Sequence, residues 1–172
     1  MDTHGTRRQF LASVGAAAAA MQTFEPIGPS GVLAADMANL KEIVKPLYTD
    51  CLTVNKHADV ATVMNRLLAD DFQSINIAET KGKAQLIGQV RFFWKLIPDL
   101  KWEIQEMLQD GNKVVVRGIA SGSPKGEFMG LNLDGSKSFK IMSIDIHTIE
   151  GQQIKQVYHL EEWLTAIKQL KA

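Results

Sequence analysis

The sequence predicts an α+β fold in which helices come first and an antiparallel sheet follows. In three stretches between Leu40 and Leu96, apolar residues recur every three or four positions, which is the period of a helix with one buried face. From Leu100 onward the period changes to two, which is typical of strands with one buried face. The 172 residues, 45% of them hydrophobic and 22% charged, suit one globular domain.

The charge balance and the scarcity of cysteine argue against several classes of function. Nineteen basic and nineteen acidic side chains cancel, so no basic field attracts nucleic acid. Cys51 is the only cysteine, which rules out a disulfide within the chain. The four histidines have no spacing that resembles a zinc site. We therefore expect neither a nucleic-acid partner nor a metal ion.

A pair of arginines stands near the amino terminus. Arg7 and Arg8 lie in the segment TRRQFL, and an alanine-rich apolar run follows at residues 11–21. This run is about half of the roughly 20 residues that span a bilayer, which argues against the alternative of a transmembrane or amphipathic first helix. The segment resembles a twin-arginine export signal. The resemblance implies export of a folded protein across the bacterial inner membrane, so we expect a periplasmic or secreted protein.

The end of this signal is predicted from its small residues. Val32, Leu33 and Ala34 form a cleavage pattern after a spacer that contains proline and glycine. Residues 1–34 are therefore expected to be the signal peptide and spacer, and residues 35–172 the mature domain. Cleavage within the alanine run is the alternative. After removal of the signal we expect no stable membrane insertion.

Three helices are predicted ahead of the main sheet. The first has one apolar stripe and should kink or break at Pro46, since an interior proline costs about 3 kcal/mol. Its stripe consists of Leu40, Ile43, Val44, Leu47, Tyr48, Cys51 and Leu52. The second begins at Asp59, which can cap it. The third runs from about Lys83 to Leu96, before Pro98 stops it.

Period-2 alternation and turn residues predict the strands. They cover Phe72–Ile77, Leu100–Gln105, Val114–Ser121, Phe139–Ile149 and Ile154–Glu162. Asp110, Gly111 and Asn112 form the turn of a first hairpin, and Glu150 and Gly151 form the turn of a second. The residues between the third and fourth of these strands are expected to be a long connection. A short amphipathic helical segment closes the chain.

Several short motifs occur in a characteristic order along the chain. They are PDL at 98–100, V-x-R at 115–117, G-x-x-x-G-E-F-M-G at 122–130, DGSKSF at 134–139, IDI at 144–146 and EGQQI at 150–154. Their order and spacing, together with the order of helices and strands, resemble the SnoaL-like polyketide cyclase family of the nuclear-transport-factor-2 superfamily. The resemblance covers nearly all of residues 38–164.

This resemblance implies a fold and an activity. The family fold is a cone in which a curved antiparallel sheet wraps around about three helices and encloses a ligand cavity. Its characterised cyclases close a ring by aldol condensation without a cofactor, using a pocket carboxylate four residues after an aromatic on the last strand. Tyr158 and Glu162 occupy those two positions in this chain. The resemblance also implies dimers or higher oligomers packed through the sheet, and we expect a homodimer.

The facing of the last strand decides which side chains reach the cavity. Strict alternation puts Tyr158 and Glu162 on an apolar face, so we expect Glu162 to move the proton, because apolar surroundings disfavour its charged form. The opposite parity carries His159 and Glu161, with Asp145 and His147 on the neighbouring strand. We expect that set on the outside of the sheet, unless a bulge inverts the facing. His159 is therefore the second catalytic candidate.

Five further residues are candidates for substrate binding. Tyr158 or Arg117 would orient the substrate or stabilise an enolate, although an arginine on a strand is more often paired with an acid. Asn76 lies where family members often carry a histidine at the cavity mouth. Trp94 and Phe128 would line an apolar pocket, with a core role as the alternative. Two functions stay open: a cofactor-independent acid/base enzyme acting on a carbonyl-containing or polycyclic small molecule, and a periplasmic module that binds an apolar small molecule without reaction.

Overall fold

The computed structural model of the protein describes residues 39–172. The predicted export signal and its cleavage site lie outside the described residues. The helices are α1 (Leu40–Pro46), α2 (Val60–Leu67), α3 (Lys83–Leu96) and α4 (Trp163–Lys171), and a π-helical segment, Leu47–Leu52, extends α1. The strands are β1 (Leu68–Ile75), β2 (Thr80–Gly82), β3 (Lys101–Asp110), β4 (Lys113–Gly122), β5 (Lys125–Phe128), β6 (Leu131–Asp134), β7 (Phe139–Glu150) and β8 (Gln153–Glu161).

The first helix changes its winding at the predicted break. Pro46 is the last residue of α1, and the π-helical segment starts directly after it. Proline lacks an N–H group and its ring clashes with the preceding turn, so the regular hydrogen-bond pattern does not continue through it. The wider winding keeps Val44, Tyr48 and Cys51 buried on one side. Tyr48 thereby points toward the sheet.

Six strands form one sheet in the order β2–β1–β8–β7–β4–β3. All neighbours are antiparallel except β1 and β8, which run parallel. The inner face of this sheet and the buried sides of the helices form one apolar core. The predicted α+β class, with a curved and mostly antiparallel sheet, is confirmed. Among residues 39–172, no helix is long and apolar enough to cross a membrane.

A short hairpin, β5–β6, occupies the segment for which the sequence predicts a long connection. Phe128 pairs with Leu131, which leaves Met129 and Gly130 as a two-residue turn. Both turn residues have positive φ, 51° and 75°, as in a type I′ turn. Positive φ strains a residue other than glycine by about 1 kcal/mol or more, so Met129 is an unusual choice there. Strands of four residues with Lys, Gly and Asp carry no clear period-2 signal, which explains why this hairpin was missed.

One extra residue in β8 interrupts its pairing with β7. Thr148 pairs with Gln156, whereas the next residue of β7, Ile149, pairs with Ile154. Lys155 is therefore the extra residue of a β-bulge. A bulge moves all the side chains that follow it to the other face of the sheet.

The bulge decides the facing of the residues that the resemblance singled out. Ile154 points inward before it, and His159 and Glu161 point inward after it. Tyr158 lies on the outer face, with 47% of its surface exposed. The predicted inward orientation of Tyr158 and Glu162 is therefore wrong.

Candidate active site

A cavity of about 270 Å³ lies between the helices and the inner face of the sheet. Much of its wall is apolar or aromatic and includes Leu47, Leu86, Val90, Phe93, Trp102 and Trp163. The ionisable side chains that line it are Tyr48, Glu79, Lys81, Asp145, His147, His159 and Glu161. A mainly apolar cavity with a few convergent polar groups is typical of a small-molecule site.

Tyr48 joins two polar side chains of β7. Its hydroxyl oxygen lies 2.8 Å from Asp145 Oδ2 and 2.8 Å from His147 Nε2. Asp145 and His147 are two residues apart on a strand and so share a face. A phenol has one proton to donate, so with Asp145 ionised it donates to the carboxylate and accepts from the imidazole N–H.

A second set of hydrogen bonds reaches Asp145 from the other side. Trp102 Nε1 donates to Ser143 Oγ at 3.0 Å, and Ser143 Oγ donates to Asp145 Oδ2 at 3.5 Å. Gly118 makes room for this arrangement, because a Cβ there would lie 3.0 Å from Ser143 Oγ and 3.1 Å from Trp102 Nε1. Both the tyrosine and the serine donate to Oδ2. Oδ1 is therefore the carboxylate oxygen left for a molecule in the cavity.

Burial changes the protonation of Asp145. The side chain is only 5% exposed, and this loss of hydration raises the pKa of its carboxyl from 3.8 to about 7. The hydrogen bond from Tyr48 opposes the rise in pKa, the negative charge of Glu161 adds to it, and His159 opposes it. A carboxyl with a pKa near 7 exchanges its proton readily at neutral pH, which is the property that a general base needs.

His147 is held neutral in the same network. It is fully buried, and burial alone lowers the pKa of its imidazole from 6.5 to about 3. Nδ1 is the one buried side-chain nitrogen or oxygen without a hydrogen-bond partner in the part of the chain that the structure describes. With Nε2 bonded to Tyr48, a neutral ring is the form that fits this environment.

His159 and Glu161 form an ion pair at the cavity wall. His159 Nδ1 lies 3.1 Å and 3.2 Å from the two carboxylate oxygens of Glu161. The hydrogen bond to Glu161 raises the pKa of His159, against the opposing effect of burial, so the imidazolium is favoured. His159 is also the direct cross-strand partner of Asp145. Directly opposed residues have Cβ atoms about 4.5–5.5 Å apart, so the cation and the buried carboxyl flank the same space.

Glu162, the first catalytic candidate of the sequence, lies outside this cavity. It is exposed at the start of α4, and its Oε2 accepts a hydrogen bond from the backbone N–H of Met142 at 3.0 Å. This carboxylate holds the end of β8 against β7. The other catalytic candidate, His159, does line the cavity.

The five predicted binding residues divide between the cavity mouth and other places. Asn76 lines the cavity, and its side-chain oxygen also accepts two backbone hydrogen bonds that close a turn. Tyr158 is on the outer face. Arg117 is exposed, with its Nε 3.3 Å from Glu106 Oε2. Neither Trp94 nor Phe128 is part of the cavity wall: the first donates to a backbone carbonyl, and the second packs in an aromatic cluster.

Sequence reasoning missed Tyr48 as a site residue and expected Asp145 and His147 outside the sheet. Their placement is a correction, and its signal was present in β7: Phe139, Ile141 and Ile149 share the parity of these residues and are apolar. Cys51 is buried, which raises the pKa of its thiol to about 12 and keeps it protonated. No cluster of three His, Cys, Asp or Glu side chains suited to a metal ion occurs within residues 39–172.

Comparisons with solved structures give the fold a wider context. A SnoaL-like protein from Jannaschia sp. superposes with a TM-score of 0.70 at 18% identity over 80% of this chain and 97% of the other. IdmH from Streptomyces antibioticus gives 0.67 at 19% identity over 78% and 100%. A protein with a ketosteroid isomerase-like fold from Catenulispora acidiphila, in complex with trimethylamine, gives 0.61 at 17% over 76% and 92%.

The sequence was also compared with curated proteins and with models of protein families. A search of curated proteins found no significant match. The sequence model of the SnoaL-like polyketide cyclase family, in contrast, matches residues 42–170, which includes every element described above except the first two residues of α1 and the last residue of α4. The chain therefore belongs to the SnoaL-like polyketide cyclase family.

Proposed function

We propose that the protein is a cofactor-independent acid/base enzyme that removes a proton beside the carbonyl group of a small molecule, as in cyclase, isomerase or dehydratase reactions. The observation that carries this proposal is the carboxyl of Asp145, whose pKa burial raises to about 7 at the wall of an apolar cavity. Membership of a family named for polyketide cyclases supports the reaction class. Asp145 takes the role that the sequence suggested for Glu162.

The proposed reaction uses the two groups that face each other across β7 and β8. Asp145 removes a proton from the carbon next to the substrate carbonyl through Oδ1, because Oδ2 is engaged by Tyr48 and Ser143. The imidazolium of His159 stabilises the enolate oxygen that forms, and Glu161 keeps that imidazole protonated. The proton then returns from Asp145 to a different atom, or the enolate carbon attacks a second carbonyl, whose oxygen takes the proton from Asp145.

The size of the cavity favours a compact substrate. An engineered apolar cavity of about 150 Å³ holds one benzene molecule. A cavity of about 270 Å³ is less than twice as large. We therefore propose ketones with one or two rings as the first compounds to test, ahead of four-ring skeletons.

Hydrogen exchange at a ketone tests the proposal directly. Wild-type protein in D₂O should speed deuterium incorporation at C2 of α-tetralone, followed by NMR. The substitution Asp145→Asn should lower this rate by about 10²–10⁴-fold, since it removes the general base. Glu162→Gln is the matched control, because it neutralises a nearby carboxylate outside the cavity, and it should leave the rate unchanged.

Two results would contradict this assignment. Equal rates for Asp145→Asn and wild type would remove Asp145 from the reaction. A large loss in Glu162→Gln, with unchanged thermal stability, would restore the original interpretation of the last strand.

A binding module without catalysis is the second candidate. The largely apolar and aromatic wall of the cavity supports it, and the Catenulispora acidiphila protein of the same fold holds a small molecule, trimethylamine. Native mass spectrometry of protein isolated from the periplasm should then show a retained compound. Protein that is always empty, and that speeds exchange in α-tetralone, would exclude this candidate in favour of the enzyme.

We also propose export by the twin-arginine route and assembly as a homodimer. The paired arginines Arg7 and Arg8 support export, and Arg7→Lys with Arg8→Lys should keep the protein in the cytoplasm, as fractionation of the producing cells would reveal. Equal periplasmic yield of this variant would contradict the route. Exposed apolar side chains on the outer face of the sheet support the homodimer, which we take up in the Discussion.

A further inference from the structure

We infer that Met129 is a specificity-determining residue that covers the mouth of the cavity and selects compact apolar ligands. This inference rests on the proposed function in taking the cavity as the ligand site. Two independent observations carry it. Met129 lines the cavity while 39% of its surface stays exposed, and its backbone has a φ of 51°, which residues other than glycine seldom adopt.

The strained position is where the hairpin would normally carry a different residue. A type I′ turn strongly prefers Asn-Gly or Asp-Gly, because both central residues need positive φ. Here the second residue is Gly130, as preferred, and the first is a methionine. Asparagine would form this turn with less strain. Local strain of this kind clusters at functional sites, and Met129 lines the cavity.

The hairpin holds Met129 in a fixed place relative to the cavity. Phe128, the preceding residue, is buried and stacks on Phe139 with ring centroids 6.1 Å apart. It also meets Phe93 at 6.2 Å and Trp163 at 5.9 Å, both edge to face. Phe93 and Trp163 are themselves walls of the cavity. The base of the turn is therefore anchored to the same aromatic cluster that shapes the site.

The chemistry of methionine suits a cover over an apolar site. Its unbranched side chain with three rotatable bonds adapts to the shape of a ligand, and its sulfur makes favourable contacts with aromatic rings. With Met129 at the mouth, a one- or two-ring compound is enclosed on its open side. A four-ring compound has to displace the side chain.

The variant Met129→Asn separates the role in ligand selection from a role in folding. It supplies the residue that the turn prefers, so the melting temperature should stay the same or rise. The dissociation constant for α-tetralone, measured by calorimetry, should increase about fivefold or more, because the apolar cover is lost. The dissociation constant for a four-ring ketone, androst-4-ene-3,17-dione, should stay the same or decrease. Glu127→Gln is the control: it changes an exposed residue of the same hairpin that does not line the cavity, and it should alter neither constant.

The inference is overturned if Met129→Asn binds α-tetralone as tightly as wild type, if both ketones weaken equally, or if wild type binds neither ketone. It is also overturned if the variant melts well below wild type, since methionine would then serve the hairpin itself. Failure of the proposed function looks different. Wild-type protein that binds α-tetralone with the expected dependence on Met129, yet does not speed deuterium exchange, would refute the enzyme and leave the selectivity of the cavity intact.

Discussion

The two faces of the β7–β8 strand pair present the reverse of an ordinary sheet. On the inner face, Asp145 opposes His159 and Ser143 opposes Glu161, all within a cavity or buried beside it. On the outer face, apolar side chains oppose each other in solvent. The outer pairs are Ile144 with Leu160 and Ile146 with Tyr158. An antiparallel sheet with one solvated face normally shows apolar residues inside and polar residues outside.

This reversal shows that both faces have a task beyond filling a core. Burying a polar side chain costs free energy unless it is hydrogen-bonded. Asp145 accepts hydrogen bonds from Tyr48 and Ser143, and Ser143 accepts one from Trp102. Clustered apolar side chains outside indicate a surface that another molecule covers. The inner face therefore supports the proposed chemistry on a small molecule, and the outer face supports the proposed homodimer.

The largest effect should come from removing either Asp145 or His147, the two buried ionisable groups of the inner face, while the other stays in place. Between about pH 4 and 6, folded protein binds a proton at Asp145 that unfolded protein releases, because burial raises the pKa of this carboxyl to about 7. In the same range, unfolded protein binds a proton at His147 that folded protein does not, because burial lowers its pKa to about 3. The two effects oppose each other, so these two groups together should add little to the pH dependence of the wild-type free energy of unfolding there.

Single substitutions should expose the opposite slopes. In Asp145→Asn the free energy of unfolding should rise with pH more steeply than in wild type, by about 1.4 kcal/mol per pH unit between pH 4 and 6, since Asp145 no longer offsets the contribution of His147. In His147→Gln it should fall with rising pH by a similar amount, since only Asp145 remains. Urea unfolding at several pH values measures both slopes. Parallel curves for the two variants would mean that one of these groups does not titrate as its burial demands.

A charge on the outer face tests the other half of the comparison. Leu160 belongs to one of the outer pairs and is 72% exposed. Leu160→Asp should therefore raise the dimer dissociation constant at least about 100-fold, or about 2.7 kcal/mol, by burying an unpaired carboxylate. Leu164→Asp is the matched control: this leucine is 68% exposed on α4 and belongs to neither outer pair. Light scattering over a dilution series gives the assembly state. A monomeric wild type, or equal dissociation of both variants, would contradict the proposed homodimer.

The contrast between the faces also shows what the sequence could and could not predict. The order of motifs and the change from period 3.6 to 2 were enough for the fold, because both depend on many residues at once. Which side chains of β8 point inward depends on one residue, Lys155, the extra residue of the bulge. Nothing in the composition of the strand indicates a bulge at this position. A prediction based on strict alternation therefore placed Tyr158 and Glu162 on the wrong face of the sheet.

The site was harder to predict because its parts are far apart in the sequence. Tyr48 belongs to the apolar stripe of a helix and meets Asp145 only through the tertiary fold, 97 residues away. On β7, however, the sequence did carry a usable signal. Phe139, Ile141 and Ile149 alternate in phase with Asp145, so the ends of the strand already indicated which side is buried.

The smallest expected effect concerns Glu161 and its influence on the pKa values of Asp145 and His159. If Asp145 must be ionised and His159 protonated, the rate of α-tetralone exchange should rise with pH through about 7 and fall again as His159 loses its proton. Glu161 raises the pKa of both groups, through its hydrogen bond to His159 and through its charge near Asp145. Glu161→Gln should therefore move both limbs of the profile to lower pH, while the maximal rate falls less than about tenfold because neither reacting group is removed.

The direction in which the two limbs of the pH–rate profile move distinguishes this effect of Glu161 from a simple loss of structure. Damage to the site would lower the rate at every pH and leave the limbs in place, whereas loss of the Glu161 charge has to act on the cation and on the carboxyl together. Glu162→Gln removes the same charge from the adjacent residue, outside the cavity, and should leave both limbs unmoved. If Glu162→Gln shifted the limbs as far as Glu161→Gln, the two faces would not be electrostatically separate. The proposal that only the inner face takes part in the reaction would then be wrong.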